Sequence, residues 1–134
     1  MYIMSKDEVL IVIGNVNDYL AKCSWMDFEL SRLNGYQVVM AGCIDQSCNK
    51  HSIIIEFEQP NYISSLLSWH TDTTKPYIEL ASNEETIGLV EKYNIEHGNY
   101  VFKAYAENYK AVPIYIAAKK IALKIFDETP FFQK

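Results

Sequence analysis

Apolar residues near the start of the chain recur at the spacing of an α-helix. The repeat consists of Val9, Ile13, Val16 and Leu20, which share one helical face. Ser5 and Glu8 fit a capping box, in which each side chain accepts a hydrogen bond from the other residue's backbone N–H. The pattern therefore predicts a first amphipathic helix over about Lys6 to Lys22.

The segment that follows has the two-residue period of strands. Three strands are predicted, one containing Phe28, Leu30 and Leu33, one over Gln37 to Met40 and one over Ser52 to Phe57. Asn34-Gly35 between the first two is a strong hairpin signal. In the third strand we expect Ile53, Ile55 and Phe57 to face the core, because they alternate with Ile54, Glu56 and Glu58. The two glutamates would then lie on an exposed face.

The middle of the chain is less regular. The segment Asn61 to Trp69 allows two interpretations. It is either a short helix, which would bury Ile63, Leu66 and Leu67, or an irregular crossover. Beyond it, strands are predicted over Tyr77 to Leu80 and Tyr100 to Tyr105 because these runs are rich in aromatic and β-branched residues.

A second capping box, formed by Ser82 and Glu85, predicts a helix that continues to about Tyr93. The apolar residues of the last segment, Pro113 to Phe126, fit both one face of a helix and one face of a strand. We prefer a strand over Ile121 to Phe126, preceded by a turn or short helix over Tyr115 to Lys120. Together these elements predict a single α+β domain over residues 1–134. Its mostly antiparallel sheet of about five to six strands packs with the N-terminal helix and one or two further short helices.

Charge argues against a nucleic-acid partner. The chain of 134 residues has 17 acidic residues, 12 Lys plus Arg and a formal net charge of −5. Arg32 is the one arginine, so few side chains offer bidentate contacts to phosphates or bases. We expect no direct nucleic-acid partner.

Neither a secretory signal nor a membrane partner is expected. Asp7 and Glu8 precede a short apolar run where a signal peptide would be basic, and no apolar stretch approaches the ~20 residues that cross a bilayer. The three cysteines are odd in number, which favours reduced thiols and a cytoplasmic location.

One cluster has the chemistry of metal ligands: Cys43, Cys48 and His51, with Asp45 between them. A structural zinc site needs four ligands, and no second pair follows these residues. We interpret Cys43 as a small apolar residue at a strand end, and we expect no metal and no cofactor.

Residue types for nucleophilic catalysis are present without a motif. A set can be assembled from Cys48 or Ser68, His70 or His97, and Asp72, but no nucleophile elbow or phosphate-binding glycine loop accompanies them. We therefore expect no enzyme. The alternative is a small ligand-binding or enzymatic domain with a pocket near Trp69, His70 and Asp72.

The excess of negative over positive charge is concentrated in the first half of the chain. Residues 1–67 carry eight acidic and four basic side chains, whereas residues 68–134 carry nine acidic and eight basic ones. Such segregation can steer a basic protein onto an acidic sheet face. The candidate partner-binding carboxylates are Asp27, Glu29, Glu56 and Glu58, and Trp25 and Trp69 are the candidate anchors, because aromatic side chains dominate interface hot spots.

The segments WMDFEL (25–30) and IIIEF (53–57) resemble the opening of small bacterial proteins of the toxin-immunity type. Those proteins are compact acidic α+β domains of the cytosol that bind a cognate toxin and block it. The resemblance covers about a quarter of the chain and assigns no functional residue. It implies a protein partner, such as a basic nuclease toxin, that is inhibited by occlusion.

The acidic-face hypothesis makes a specific prediction. Charge reversal at Glu56 and Glu58 should slow association with a basic partner in a salt-dependent way. A homodimer formed through an exposed strand edge is a third alternative.

Overall fold

The computed structural model describes residues 3–44, 51–107 and 113–126. These residues form two helices and nine strands. In chain order they are α1 (Lys6–Ala21), β1 (Met26–Leu33), β2 (Gln37–Cys43), β3 (Ile53–Glu58), β4 (Tyr62–Ser64), β5 (Ser68–Thr71), β6 (Ile78–Leu80), α2 (Asn83–Tyr93), β7 (Tyr100–Ala104), β8 (Ile114–Ala118) and β9 (Lys120–Ile125). The α+β prediction is confirmed.

The strands form two antiparallel sheets. The first sheet has the order β5-β1-β2-β3-β9 and the second has the order β4-β8-β7-β6. The predicted β1–β2 hairpin is present, and the side-chain Oδ1 of Asn34 accepts hydrogen bonds from the backbone N–H of Tyr36 at 2.8 Å and of Gln37 at 3.0 Å. Asn34 therefore fixes the turn through its own side chain.

One main core lies between the inner faces of the two sheets and α1. Ile53, Ile55 and Phe57 are fully buried in it, as the alternation in β3 predicts. Across the core, the rings of Phe57 and Phe102 from the two sheets meet at 5.1 Å between centroids in an edge-to-face arrangement. Helix α1 contributes five buried side chains, including Val9 and Val16, to the same core.

The chain passes from one sheet to the other at two places, between β3 and β4 and between β8 and β9. Three residues join β3 to β4, beginning at Gln59 with a left-handed φ of 54°, and Lys119 alone joins β8 to β9. At this bend the N–H of Lys119 donates to the carbonyl of Glu58 at 3.1 Å, and the N–H of Asn61 donates to the carbonyl of Ala117 at 2.7 Å. Such a corner lets the chain continue from one sheet into the other while both sheets enclose one core.

Both helices begin with the predicted capping boxes. Ser5 and Glu8 exchange side-chain and backbone hydrogen bonds at α1, and Ser82 and Glu85 do so at α2. Helix α2 lies on the outer face of the second sheet, where Ile95 packs in a small second cluster.

The helix alternative for 61–69 and the turn or helix over 115–120 are both wrong. The segment 61–69 crosses between the sheets, as the other alternative had it, and contributes the three-residue strand β4 to one sheet and the start of β5 to the other. Leu67, which the helix would have buried, is 79% exposed. Residues 115–120 form most of β8 and the start of β9 rather than a turn or helix. Short strands at a corner carry too few residues to show a period, which explains both errors and the low predicted strand number.

The cysteines also require a correction. Cys43 is disulfide-bonded, whereas the thiol of Cys23 is buried and donates to the carbonyl of Tyr19 at 3.4 Å. The expectation of reduced thiols is therefore wrong for Cys43. Because disulfides are typical of oxidising compartments, the cysteines no longer favour the cytosol.

Neither described helix could cross a bilayer, since each is too short or too polar to do so.

Candidate functional site

Strand register brings the four predicted carboxylates to one side of the first sheet. In the β1–β2 ladder Glu29 lies opposite Ala41, and in the β2–β3 ladder Ala41 lies opposite Ile54, which is on the same side of β3 as its two glutamates. We call this side, which faces away from the main core, the outer sheet face. Its charged and polar members include Asp27, Glu29, Arg32, Gln37, Glu56, Glu58, Ser68, His70, Lys120 and Lys124.

At one edge of the outer sheet face, His70 lies between two carboxylates. Its Nδ1 is 2.6 Å from Oδ1 of Asp27, its partner in the β1–β5 ladder, and its Nε2 is 3.3 Å from Oε2 of Glu107. The backbone N–H of Glu107 also donates to the carbonyl of His70 at 2.7 Å. Three chain segments distant in sequence are thereby joined at one imidazole ring.

This arrangement fixes the histidine rather than presenting it to a substrate. A general base of the Asp–His type needs one ring nitrogen bound to the carboxylate and the other open to the reacting group. Here Glu107 occupies the side of Nε2. Both ring nitrogens of His70 therefore face carboxylates, and the three side chains form one polar cluster at this edge.

The same edge carries the exposed part of the acidic surface. Glu29 is 56% exposed, and its Oε2 lies 3.4 Å from Nε2 of His51. The ring of Trp25 lies 5.0 Å from that of His70, and Trp25 is half-buried. Oδ2 of Asp27 is buried without a hydrogen-bond partner in the described part of the chain. Carboxylates and an indole ring therefore lie side by side here.

At the opposite edge the charges are paired. Glu56 is only 19% exposed, and its oxygens lie 3.4 Å from Nζ of Lys124 and 3.4 Å from Nε2 of Gln37. Gln37 in turn accepts a hydrogen bond from Arg32 at 3.1 Å. The expectation that Glu56 and Glu58 are simply exposed is therefore corrected for Glu56, because β9 places a lysine beside it.

Trp69 is not part of this surface. It is 6% exposed, its Nε1 donates to the hydroxyl of Tyr77 at 3.0 Å, and its ring stacks on Phe28. Consecutive residues of a strand point to opposite faces, so Trp69 enters the core and His70 does not. Trp69 is accordingly withdrawn as an interface anchor.

The alternative pocket near Trp69, His70 and Asp72 does not assemble. Trp69 and His70 lie on opposite faces of β5, and Asp72 accepts hydrogen bonds at 2.9 Å and 2.5 Å from the N–H and hydroxyl of Thr74 in a turn. The three side chains do not converge on one hollow.

The weak metal alternative is not supported by the residues that can be placed. Cys43 is disulfide-bonded, so its sulfur is not a free thiolate, and His51 faces Glu29. Cys48 and Asp45 lie outside the described residues. Within residues 3–44, 51–107 and 113–126, no group of three or more His, Cys, Asp or Glu could hold a metal ion.

One exposed aromatic residue was missed by the sequence interpretation. Tyr36 is 85% exposed at the tip of the β1–β2 hairpin. Its backbone is held by Asn34 and by the N–H of Gln59, which donates to the Tyr36 carbonyl at 2.9 Å. Its position directly after the hairpin signal Asn34-Gly35 could have identified it as exposed, because a hairpin turn lies at the end of a sheet.

A second polar cluster lies on the outer face of the second sheet, under the N-terminus of α2. Oε2 of Glu85 lies 2.6 Å from Nζ of Lys103 and accepts a hydrogen bond from Tyr115 at 2.7 Å. The hydrogen bond from Lys103 is the main reason that the pKa of Glu85 falls to about 2. Burial, followed by the hydrogen bond to Glu85, raises the pKa of Tyr115 to about 12. This cluster is structural, because its charges are paired with one another.

Comparisons with protein-family models, with curated proteins and with solved structures found no match to this chain. The site must therefore be interpreted from its own geometry.

Proposed function

We propose that this chain is a protein-binding domain that uses the outer sheet face to occlude a basic protein partner, as an immunity-type inhibitor occludes its toxin. One observation carries the proposal. The four carboxylates Asp27, Glu29, Glu56 and Glu58 lie on the same side of the same sheet.

The distribution of charge within this face favours one edge as the contact. The carboxylates of Asp27, Glu29 and Glu107 gather near β5, whereas the two lysines of the face lie on β9 at the far edge of the sheet. A cationic partner would meet the first edge as the more attractive surface and the second, where Lys120 and Lys124 offset Glu56 and Glu58, as a less attractive one. Charge arranged in this way sets the orientation of docking as well as its rate.

Two aromatic residues can supply apolar contact beside these charges. Trp25 lies against His70 at the acidic edge, and Tyr36 projects from the hairpin tip of the same sheet. Tyr36 needs little further ordering on binding because Asn34 and Gln59 already hold its backbone. Both residues therefore suit an interface in which aromatic anchors are flanked by charge.

The test compares captured proteins between matched variants. The chain is used as bait in a lysate of its native host, as wild type, as Glu29→Lys/Glu58→Lys and as Glu84→Lys, which makes the same kind of change on exposed α2. Reversal at Glu56 is avoided because Glu56 is paired with Lys124 and its loss would also disturb the sheet. We expect one basic protein to be retained by the wild type and by Glu84→Lys but lost with the double variant.

Inhibition by occlusion is then tested on the captured protein. Its enzymatic or toxic activity should fall on addition of the wild-type chain and recover with Glu29→Lys/Glu58→Lys. Capture that is equal for all three baits, or a captured protein that is acidic, would contradict the proposal.

A cytoplasmic location forms part of this proposal, since an immunity-type inhibitor acts where its toxin does. Fractionation of host cells checks it directly. Recovery of the chain outside the cytoplasm would agree with the disulfide at Cys43 and would contradict this part of the proposal.

A further inference from the structure

Helix α2 is attached to the molecule with little buried surface. None of its eleven residues is fully buried, whereas five residues of α1 are. Only Leu89 and Val90 of α2 pack, partly buried, against the second cluster on the second sheet. Most helical stability in proteins comes from the packing of an apolar face. The position of α2 must therefore depend on other contacts.

Glu85 supplies such a contact at the N-terminal end of α2. Its Oε1 accepts from the backbone N–H of Ser82 at 3.0 Å, which completes the capping box. Its Oε2 accepts from Lys103 of β7 at 2.6 Å and from Tyr115 of β8 at 2.7 Å. One carboxylate thereby joins the first turn of the helix to two strands of the second sheet.

A separate set of contacts holds the C-terminal end. The rings of Tyr93 and Tyr62 stack with 4.8 Å between their centroids. The next residue, Asn94, adopts a left-handed conformation that ends the helix, and Ile95 is buried in the second cluster. None of these contacts involves Glu85.

We propose that α2 is a flap: Glu85 fastens its N-terminal end to Lys103 and Tyr115, and loss of that contact lets α2 open about Tyr93–Ile95 while the main core stays folded. The exposed sheet surface would then be that of Val101 and Ala117.

The neighbouring charges fit this role for Glu85. Lys103 also faces Glu79 across the β6–β7 ladder, but Glu79 accepts a hydrogen bond from Tyr105. The Lys103 ammonium lies 5.5 Å from the centre of the Tyr105 ring. Glu85 is thus the carboxylate that binds Lys103 directly, and its pKa of about 2 agrees with a strong contact.

Hydrogen–deuterium exchange of the full chain near neutral pH tests the flap. The main comparison is Glu85→Gln against Glu84→Gln, which removes a charge from the adjacent exposed residue. Glu85→Gln should speed amide exchange in residues 86–93 by roughly 10- to 100-fold, the range expected for a lost charged hydrogen bond. Exchange in α1 and β2 should be unchanged, and Glu84→Gln should behave as wild type.

A second variant separates the contact with the sheet from the capping box. Lys103→Met leaves the hydrogen bonds between Ser82 and Glu85 in place, so faster exchange in this variant reports the contact with Lys103 alone. Unchanged exchange in α2 for both Glu85→Gln and Lys103→Met would overturn the proposal. Equal acceleration in α2, α1 and β2 would also overturn it, because α2 would then open only with the whole fold.

Discussion

Nδ1 of His70 lies 2.6 Å from Oδ1 of Asp27, directly across the ladder that joins the edge strand β5 to β1. The four-residue β5 is held from its other side by the hydrogen bond between Glu107 and the His70 carbonyl. The pair therefore both positions an edge strand and builds the acidic end of the outer sheet face.

Asp27→Asn should destabilise the fold by about 1–2 kcal/mol, because it removes the charge from a hydrogen bond whose histidine is partly exposed. Urea unfolding measures the change. Asp18→Asn on the exposed side of α1 is the control and should stay within about 0.5 kcal/mol of wild type. Equal stability of Asp27→Asn and wild type would show that the pair contributes nothing.

The pKa of Glu85 predicts how stability depends on acid. Because this pKa falls from an ordinary 4.5 to about 2 in the folded chain, the contribution of Glu85 is complete above pH 4.5 and is lost as the pH falls toward 2. We expect about 1–2 kcal/mol, since the side chain is partly solvated. The measurement is the free energy of unfolding of wild type and Glu85→Gln between pH 2 and pH 6. Their difference should shrink through this window, and a constant difference would contradict the assignment.

Asn17 joins α1 to the edge strand β6. Its side chain accepts hydrogen bonds from the N–H groups of Tyr77 and Ile78 at 2.9 Å and 3.1 Å and donates to the Ile78 carbonyl at 2.9 Å. Asn17→Ala leaves three partly buried backbone groups without this partner and should cost about 2–4 kcal/mol by chemical denaturation. Asn15→Ala, two residues earlier on the exposed side, should change stability little. A similar effect of both substitutions would mean that the contacts are unimportant.

Two glycines should respond to alanine with opposite signs. A Cβ at Gly42 would lie 2.7 Å from Ile53 Cγ2 and 2.9 Å from Met26 Sδ, so Gly42→Ala should destabilise by about 1–3 kcal/mol. A Cβ at Gly14 of α1 meets nothing within 4 Å, so Gly14→Ala should stabilise by up to about 1 kcal/mol. Thermal unfolding of both variants checks the pair. The packing described for β2 would be wrong if Gly42→Ala were neutral.

The sequence predicted elements wherever a period or a cap was long enough to be seen. Helix α1, the β1–β2 hairpin, β3 and the capping box of α2 were all found in this way. The corner strands β4 and β8 were not, because their direction is set by pairing with each other rather than by their own pattern.

The sequence predicted which residues form the candidate site better than it predicted the contacts between them. Alternation placed Glu56 on the correct side of β3, but only the register with β9 shows that Lys124 accompanies it. His70 and Asp27 are 43 residues apart, so no local pattern could pair them. Trp69 was misassigned because β5 lay in a segment where no strand was expected.

The rate of association with the captured partner shows directly whether the carboxylates of the outer sheet face steer binding. Stopped-flow mixing of the purified partner with wild type and with Glu29→Lys/Glu58→Lys, over a series of salt concentrations, gives this rate. We expect a wild-type rate that falls steeply with added salt and a double variant that is roughly tenfold slower at low salt, with the two rates converging at high salt. Equal rates for both proteins at every salt concentration would contradict this expectation.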